Sequence, residues 1–147
     1  MKEVFGNLWD FDGIIAVTTN GFVKKDGSCV MGRGCAREAA LRFGWLPRKL
    51  GAAIVKHGNH VFYFPEYRLI TFPVKHLWSE PADLNLIQQS ARELAQTIEE
   101  FKIKEAVYLP RPGCGNGRLK WEGVKKVLSP ILKSDQFYIV THSRTDS

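Results

Sequence analysis

Apolar and polar positions follow two rhythms along this chain. Short β-branched or aromatic runs, closed off by Gly, Pro or Asn, fall at 3–5, 14–18, 53–56, 61–64, 69–72, 106–109 and 137–141, and such runs predict strands. Helical spacing appears between them. Residues 34–43 are rich in Ala, Arg and Leu. Over 82–101, Leu84, Ile87, Ala91, Leu94, Ile98 and Phe101 recur at three- and four-residue steps on one face. A third helix is expected from Lys120, carrying Trp121, Val124, Val127 and Leu128, with Pro130 bending or ending it. The tetrad His57-Gly58-Asn59-His60 reads as a hairpin turn between two strands. Helices interleaved with strands predict an α/β sandwich on a mixed sheet. There is no repeat, linker or low-complexity stretch, so residues 1–147 are expected to form one domain.

With 44% hydrophobic residues over 147 positions, a chain of this size buries roughly 70% of its unfolded surface and can hold a core without disulfides or structural metal. No apolar run reaches the ~18 residues of a membrane span. The opening MKEVFGNLWDFDG lacks the long apolar stretch of a signal peptide, so a cytoplasmic protein with no membrane partner is expected. The cysteines Cys29, Cys35 and Cys114 cannot all pair and have no zinc-ligand spacing, which predicts free thiols and no metal. The net charge of +6 is gathered: between Lys24 and Arg68 nine basic residues stand against three acidic ones, and the rest of the chain is neutral. Such an excess fits either an anionic partner nearby or a device for solubility.

Two stretches could carry chemistry. In AVYLPRPGCGNGRLKWEGV, residues 106–124, a strand ends, Gly113, Gly115 and Gly117 alternate, and a helix follows. Alternating glycines turn backbone N–H groups inward together, and the helix N-terminus adds positive potential, so the turn can seat a diphosphate. It is not a Walker loop, because no Gly-Lys-Ser/Thr follows. A second glycine-rich turn, Met31-Gly32-Arg33-Gly34, again precedes a helix and follows Thr19-Asn20-Gly21 at a strand end. Two such turns could grip both ends of one anionic ligand. Most aromatic residues read as core; Trp9, Phe22 and Trp78 lie beside the proposed ligand loops and are the candidates for stacking on a base.

Taken in order, Gly6-Asn7-Leu8-Trp9, Thr19-Asn20-Gly21, Met31-Gly32-Arg33-Gly34, Phe72-Pro73-Val74-Lys75 with Trp78, and Pro112-Gly113-Cys114-Gly115-Asn116-Gly117 with Leu119 and Trp121 resemble the macro domain family. These are small modules that bind ADP-ribose. The likeness covers nearly the whole chain and points to the branch of terminal ADP-ribose glycohydrolases and the antitoxins that remove ADP-ribose from DNA. It implies a three-layer α/β/α sandwich with a mixed sheet of six or seven strands, acting as a monomer without a cofactor, with ADP-ribose as ligand or product and ADP-ribosylated DNA or protein as partner.

The resemblance also implies roles. Asn7, with Leu8 and Trp9, would meet adenine where many members carry an Asp. Thr19, Asn20 and the turn of Met31, Gly32, Arg33 and Gly34 would approach the distal ribose. Pro112, Gly113, Cys114, Gly115, Asn116 and Gly117 would wrap the diphosphate, Cys114 being kept for its small size. Lys75 matches the lysine that attacks the anomeric carbon, a role that requires a neutral amine, hence burial or a neighbouring cation such as Arg33 or His76. Gly117 stands where the terminal glycohydrolases carry an acidic partner for that lysine, and His76 is a candidate substitute. A non-catalytic ADP-ribose-binding module, an ADP-ribose 1″-phosphate phosphatase and a small RNA-binding domain are the other readings.

Overall fold

The computed structural model describes residues 1–142; the last five positions of the expected 1–147 domain lie outside the described residues. Six strands, β1 (Lys2–Phe5), β2 (Ile14–Asn20), β3 (Phe62–Phe64), β4 (Leu69–Lys75), β5 (Val107–Pro110) and β6 (Phe137–Thr141), form one sheet in the order β1-β6-β5-β2-β4-β3. All neighbours run parallel except β3, which pairs antiparallel with β4 at one edge. Helices α1 (Gly34–Arg42) and α2 (Leu46–His57) cover one face; α3 (Leu84–Glu100) and α4 (Trp121–Leu128) cover the other.

Strand β2 shows how the layers are sorted. Ile14 and Ala16 point into the cluster shared with Ile87, Leu94 and Leu128, while Ile15 and Val17 point into the cluster shared with Ala39, Leu46 and Leu50. A parallel strand covered on both faces carries apolar residues continuously rather than alternately, as β2 and β4 do. On α3 the central part of the expected stripe, Ile87, Ala91, Leu94 and Ile98, is buried, whereas its ends, Leu84 and Phe101, are exposed.

Two expectations are corrected. Residues 53–56 belong to α2, not to a strand: Leu46, Leu50 and Ile54 recur at four-residue steps behind Pro47 in the first turn, and the β-branched pair Ile54-Val55 lies inside that helical period. Gly58 (φ 91°) then ends α2, its N–H donating to the Ile54 carbonyl, so 57–60 is a helix end and not a hairpin turn.

Near the ends of β2 and β4 the register slips. Thr19 is paired with Pro73, but Asn20 is paired with Lys75, leaving Val74 as the extra residue of a bulge. Pro73 has no N–H to donate, which breaks the ladder at this point, and the bulge re-aims the residue that follows. The backbone is then pinned from outside the sheet. The Pro73 carbonyl accepts from buried Ser90 Oγ at 2.6 Å, the Val74 carbonyl from Asp83 N at 2.9 Å and the Lys75 carbonyl from Asn59 Nδ2 at 3.0 Å.

Candidate functional site

A cleft of about 1210 Å³ opens at the carboxyl ends of β2, β4, β5 and β6. In an open parallel sheet this edge is where loops diverge and leave a crevice for a ligand. Its walls are the two glycine-rich turns. Of the residues expected at a site, Thr19, Asn20, Met31, Gly32, Arg33, Gly34, Lys75, Gly113, Cys114, Gly115, Asn116 and Gly117 line it. Asn7, Leu8, Trp9 and Pro112 do not. Leu8 and Pro112 are buried. Asn7 caps a short 3-10 turn, Leu8–Asp10, its Oδ1 accepting from Trp9 N at 3.0 Å. The Trp9 indole N–H donates to Glu38 Oε1, and the Arg42 guanidinium lies 4.5 Å from the ring centre.

The turn of residues 113–117 is held by its own backbone. Leu119 N donates to the Gly113 carbonyl at 2.9 Å, and Ala82 N, just ahead of α3, donates to the Gly117 carbonyl at 2.9 Å. Among the described residues the N–H groups of Gly115, Asn116 and Gly117 have no internal acceptor. Neither Arg33 at the start of α1 nor Lys120 at the start of α4 caps its helix with a side chain. First-turn amides are therefore open to an anion, and the helix dipole favours one there.

Lys75 is half-buried between these turns. Its Nζ donates to the Asn116 carbonyl at 3.2 Å and to the Trp78 carbonyl at 3.4 Å. Burial lowers its pKa from the ordinary lysine value, and the charges of Arg33 and Arg118 lower it further. Arg118 is the neighbour that sequence reasoning missed; it follows the second turn in a left-handed conformation, φ 65°. His76 is turned elsewhere, its Nε2 2.9 Å from Oδ2 of Asp83, the N-cap of α3.

Asn20 has a structural task. Its Nδ2 donates to the Val30 carbonyl and its Oδ1 accepts from Phe22 N, both at 2.9 Å, which fixes the start of the segment leading to the first turn. Burial favours the protonated form of all three thiols. Burial pushes Cys29 up to about 12 and Cys114 up to about 11, and raises Cys35, which sits against Thr18. Of the nine basic residues between Lys24 and Arg68 only Lys24 and Arg33 line the cleft. The others do not line it: Arg68 binds Asp12 and Glu105, Arg42 lies over Trp9 and Lys49 over Trp45. The positive lining is completed from later in the chain by Lys75, Arg111 and Lys120, with Glu122 the one carboxylate in it among the described residues.

This sheet order, with helices on both faces and a cleft between two glycine-rich turns at its carboxyl edge, is the macro domain fold. The macrodomain of Mycobacterium tuberculosis DarG superimposes with a TM-score of 0.80 over 95% of this chain and 95% of its own, at 26% identity. Thermosipho africanus DarTG, solved in complex with ADP-ribose, matches with a TM-score of 0.79 over 99% of this chain and 42% of its own, at 17% identity. By sequence, a DNA ADP-ribosyl glycohydrolase of Thermus aquaticus is 30% identical over 70 residues, 48% of this chain and 19% of the relative. The matched segments thus cover about a fifth of the length of the curated relatives. No protein-family model matches the chain.

Proposed function

We propose that this chain binds ADP-ribose in the cleft and hydrolyses the glycosidic bond that joins it to DNA. One observation carries the reading: an amine disposed to lose its proton, Lys75, stands between two turns whose open amides suit a diphosphate. The likeness to proteins named DNA ADP-ribosyl glycohydrolase supports DNA as the macromolecule.

In this reading the amides of Gly115, Asn116 and Gly117 take the diphosphate and the distal ribose lies over Lys75. The neutral Nζ attacks the anomeric carbon; a C–N bond forms, and the electron pair of the breaking glycosidic bond leaves with the base. The nitrogen is now cationic and supplies the proton the leaving base takes up. The sugar ring opens to a Schiff base, water adds to it, and Lys75 departs with its proton restored and ADP-ribose released. The proton count closes within the amine, which gives up one proton when the base leaves and recovers one from water.

A binding-only role is the second reading, and a specific observation favours it. A Cβ at Gly117 would lie 2.4 Å from the Gly113 carbonyl oxygen, so this turn does not admit the acid that the terminal glycohydrolases are expected to carry there.

Incubation with ADP-ribosylated single-stranded DNA and with an ADP-ribosylated protein, reading free ADP-ribose, decides between them. Release from DNA is expected. Lys75→Ala and Lys75→Arg should abolish turnover while ADP-ribose still binds, since an attacking group acts mainly in the transition state and arginine stays protonated above pH ~12. Borohydride should trap an adduct on the peptide containing Lys75 in the unaltered protein only. The rate should rise with pH as the lysine loses its proton, with a midpoint below the ordinary lysine value because burial and the two arginines disfavour the charged form. Full activity in Lys75→Arg would remove the nucleophile.

A further inference from the structure

We infer that Phe22 and Trp78, at the ends of two neighbouring strands, form a stacking seat for the departing base and are specificity-determining residues of the cleft. The inference rests on ADP-ribose lying in the cleft as proposed above, and sheet topology carries it further. The turn of residues 113–117 follows β5, whereas Phe22 follows β2 and Trp78 follows β4, one and two strands further along the same edge. A ligand with its diphosphate over the first of these and its anomeric carbon at Lys75 points its leaving group towards the other two.

Both aromatic residues are anchored by backbone and open by side chain. Gly21 N donates to the His76 carbonyl at 3.2 Å, which ties the two segments together. The Phe22 amide is held by Asn20 Oδ1, and the Trp78 carbonyl accepts from Lys75 Nζ. Yet Phe22 is 36% and Trp78 46% exposed, and both line the cleft. Other aromatic residues are engaged: Phe11, Tyr108 and Tyr138 stack in series, Phe43, Trp45, Phe64 and Tyr67 cluster, and Trp121 lies under Arg111. Neither Phe22 nor Trp78 has a ring or cation partner among the described residues. Exposed rings cost hydrophobic free energy, and a base has a π-face to cover them, which a glutamate or aspartate side chain lacks. Lys24, two residues beyond Phe22, also lines the cleft and suits a flanking phosphate.

The test uses the full chain with Lys75→Arg to stop turnover, and two probes: free ADP-ribose, and a single-stranded DNA decamer carrying ADP-ribose on one base. Trp78→Ala and Phe22→Ala should each weaken the decamer by about 5- to 100-fold, the range of one base stacked on one ring, while free ADP-ribose changes by less than about twofold. Trp78→Phe, which keeps a ring to stack on, should recover most of the decamer affinity that Trp78→Ala loses. Equal losses on both probes, or no loss on the decamer with ADP-ribose binding intact, would overturn the stacking seat alone. Failure of the unaltered protein to bind free ADP-ribose would overturn it together with the reading it rests on.

Discussion

At Gly117 a Cβ would stand 2.4 Å from the Gly113 carbonyl oxygen and 2.8 Å from Ala82 Cβ, whereas at Gly32, across the cleft, it would meet nothing within 4 Å. Gly113 resembles Gly117, with φ 76° and a Cβ position 2.8 Å from Ile87 Cδ1; Gly115, between them, resembles Gly32. The two turns therefore use glycine for different reasons. At 113 and 117 its absence of a side chain lets the turn fold back and pack on the start of α3. At 32 and 115 it leaves open space in the cleft. Closure of the turn on Gly117 is also what excludes a carboxylate beside Lys75, so packing in one wall sets the chemistry available in the cleft.

The largest effect should come from breaking the closed turn. Gly117→Ala places its methyl group against backbone that cannot swing aside, and is expected to destabilise the fold by about 1–3 kcal/mol, as overpacking at a rigid site does. Gly115→Ala has open space and should stay within about 0.5 kcal/mol. Denaturant unfolding of the two variants side by side checks this, and equal stabilities would mean that the turn is looser than its contacts imply. Gly117→Asp should share the loss and should not speed hydrolysis.

The same contrast explains what was legible beforehand. Helix α3 was readable because four buried apolar residues recur at helical spacing, and both turns were readable because glycines cluster between a strand end and a helix start. Helix α2 was misread: the β-branched pair Ile54-Val55 resembles a strand when only four residues are viewed, and the period that corrects it begins eight residues earlier at Leu46. Of the local environment of Lys75, its burial and the nearby Arg33 were legible, and the rest was not. It depends on Arg118 from a different turn, on the Asn116 carbonyl, and on a bulge whose existence follows from Pro73 meeting Thr19 in a neighbouring strand. None of these partners is near Lys75 in sequence. Charge left two readings open, an anionic partner or solubility, and of the nine basic residues only Lys24 and Arg33 line the cleft.

Binding sharpens the comparison next. Gly115→Glu adds a carboxylate where the diphosphate is proposed to sit, with no fold contact to disturb. It should weaken ADP-ribose by more than ~2 kcal/mol through like charge and bulk while the melting temperature holds. Calorimetry on the folded variant reads the first and thermal unfolding the second. Unchanged affinity would take this turn out of the ligand site.

The smallest effect concerns Asn7, at the far end of the sheet edge, and it separates a fold contact from a ligand contact. The resemblance assigns Asn7 to adenine, but its Oδ1 already accepts from Trp9 N and caps the 3-10 turn that follows β1. A side-chain cap contributes about 1 kcal/mol to stability, so Asn7→Ala should unfold that much more easily. A neutral hydrogen bond to adenine would contribute a similar ~1 kcal/mol to affinity, about fivefold in the dissociation constant. Since Asn7 does not line the cleft, the expectation is that stability falls and affinity for ADP-ribose stays within about twofold, because a bond the protein already makes to itself is lost from the fold and not from the complex. Calorimetry on Asn7→Ala and on Asn7→Asp separates the two cases. The aspartate keeps the cap, so if it restores stability without changing affinity, Asn7 acts on the turn. If alanine lowers affinity fivefold and aspartate raises it above that of the unaltered protein, the side chain faces adenine and the cap is incidental.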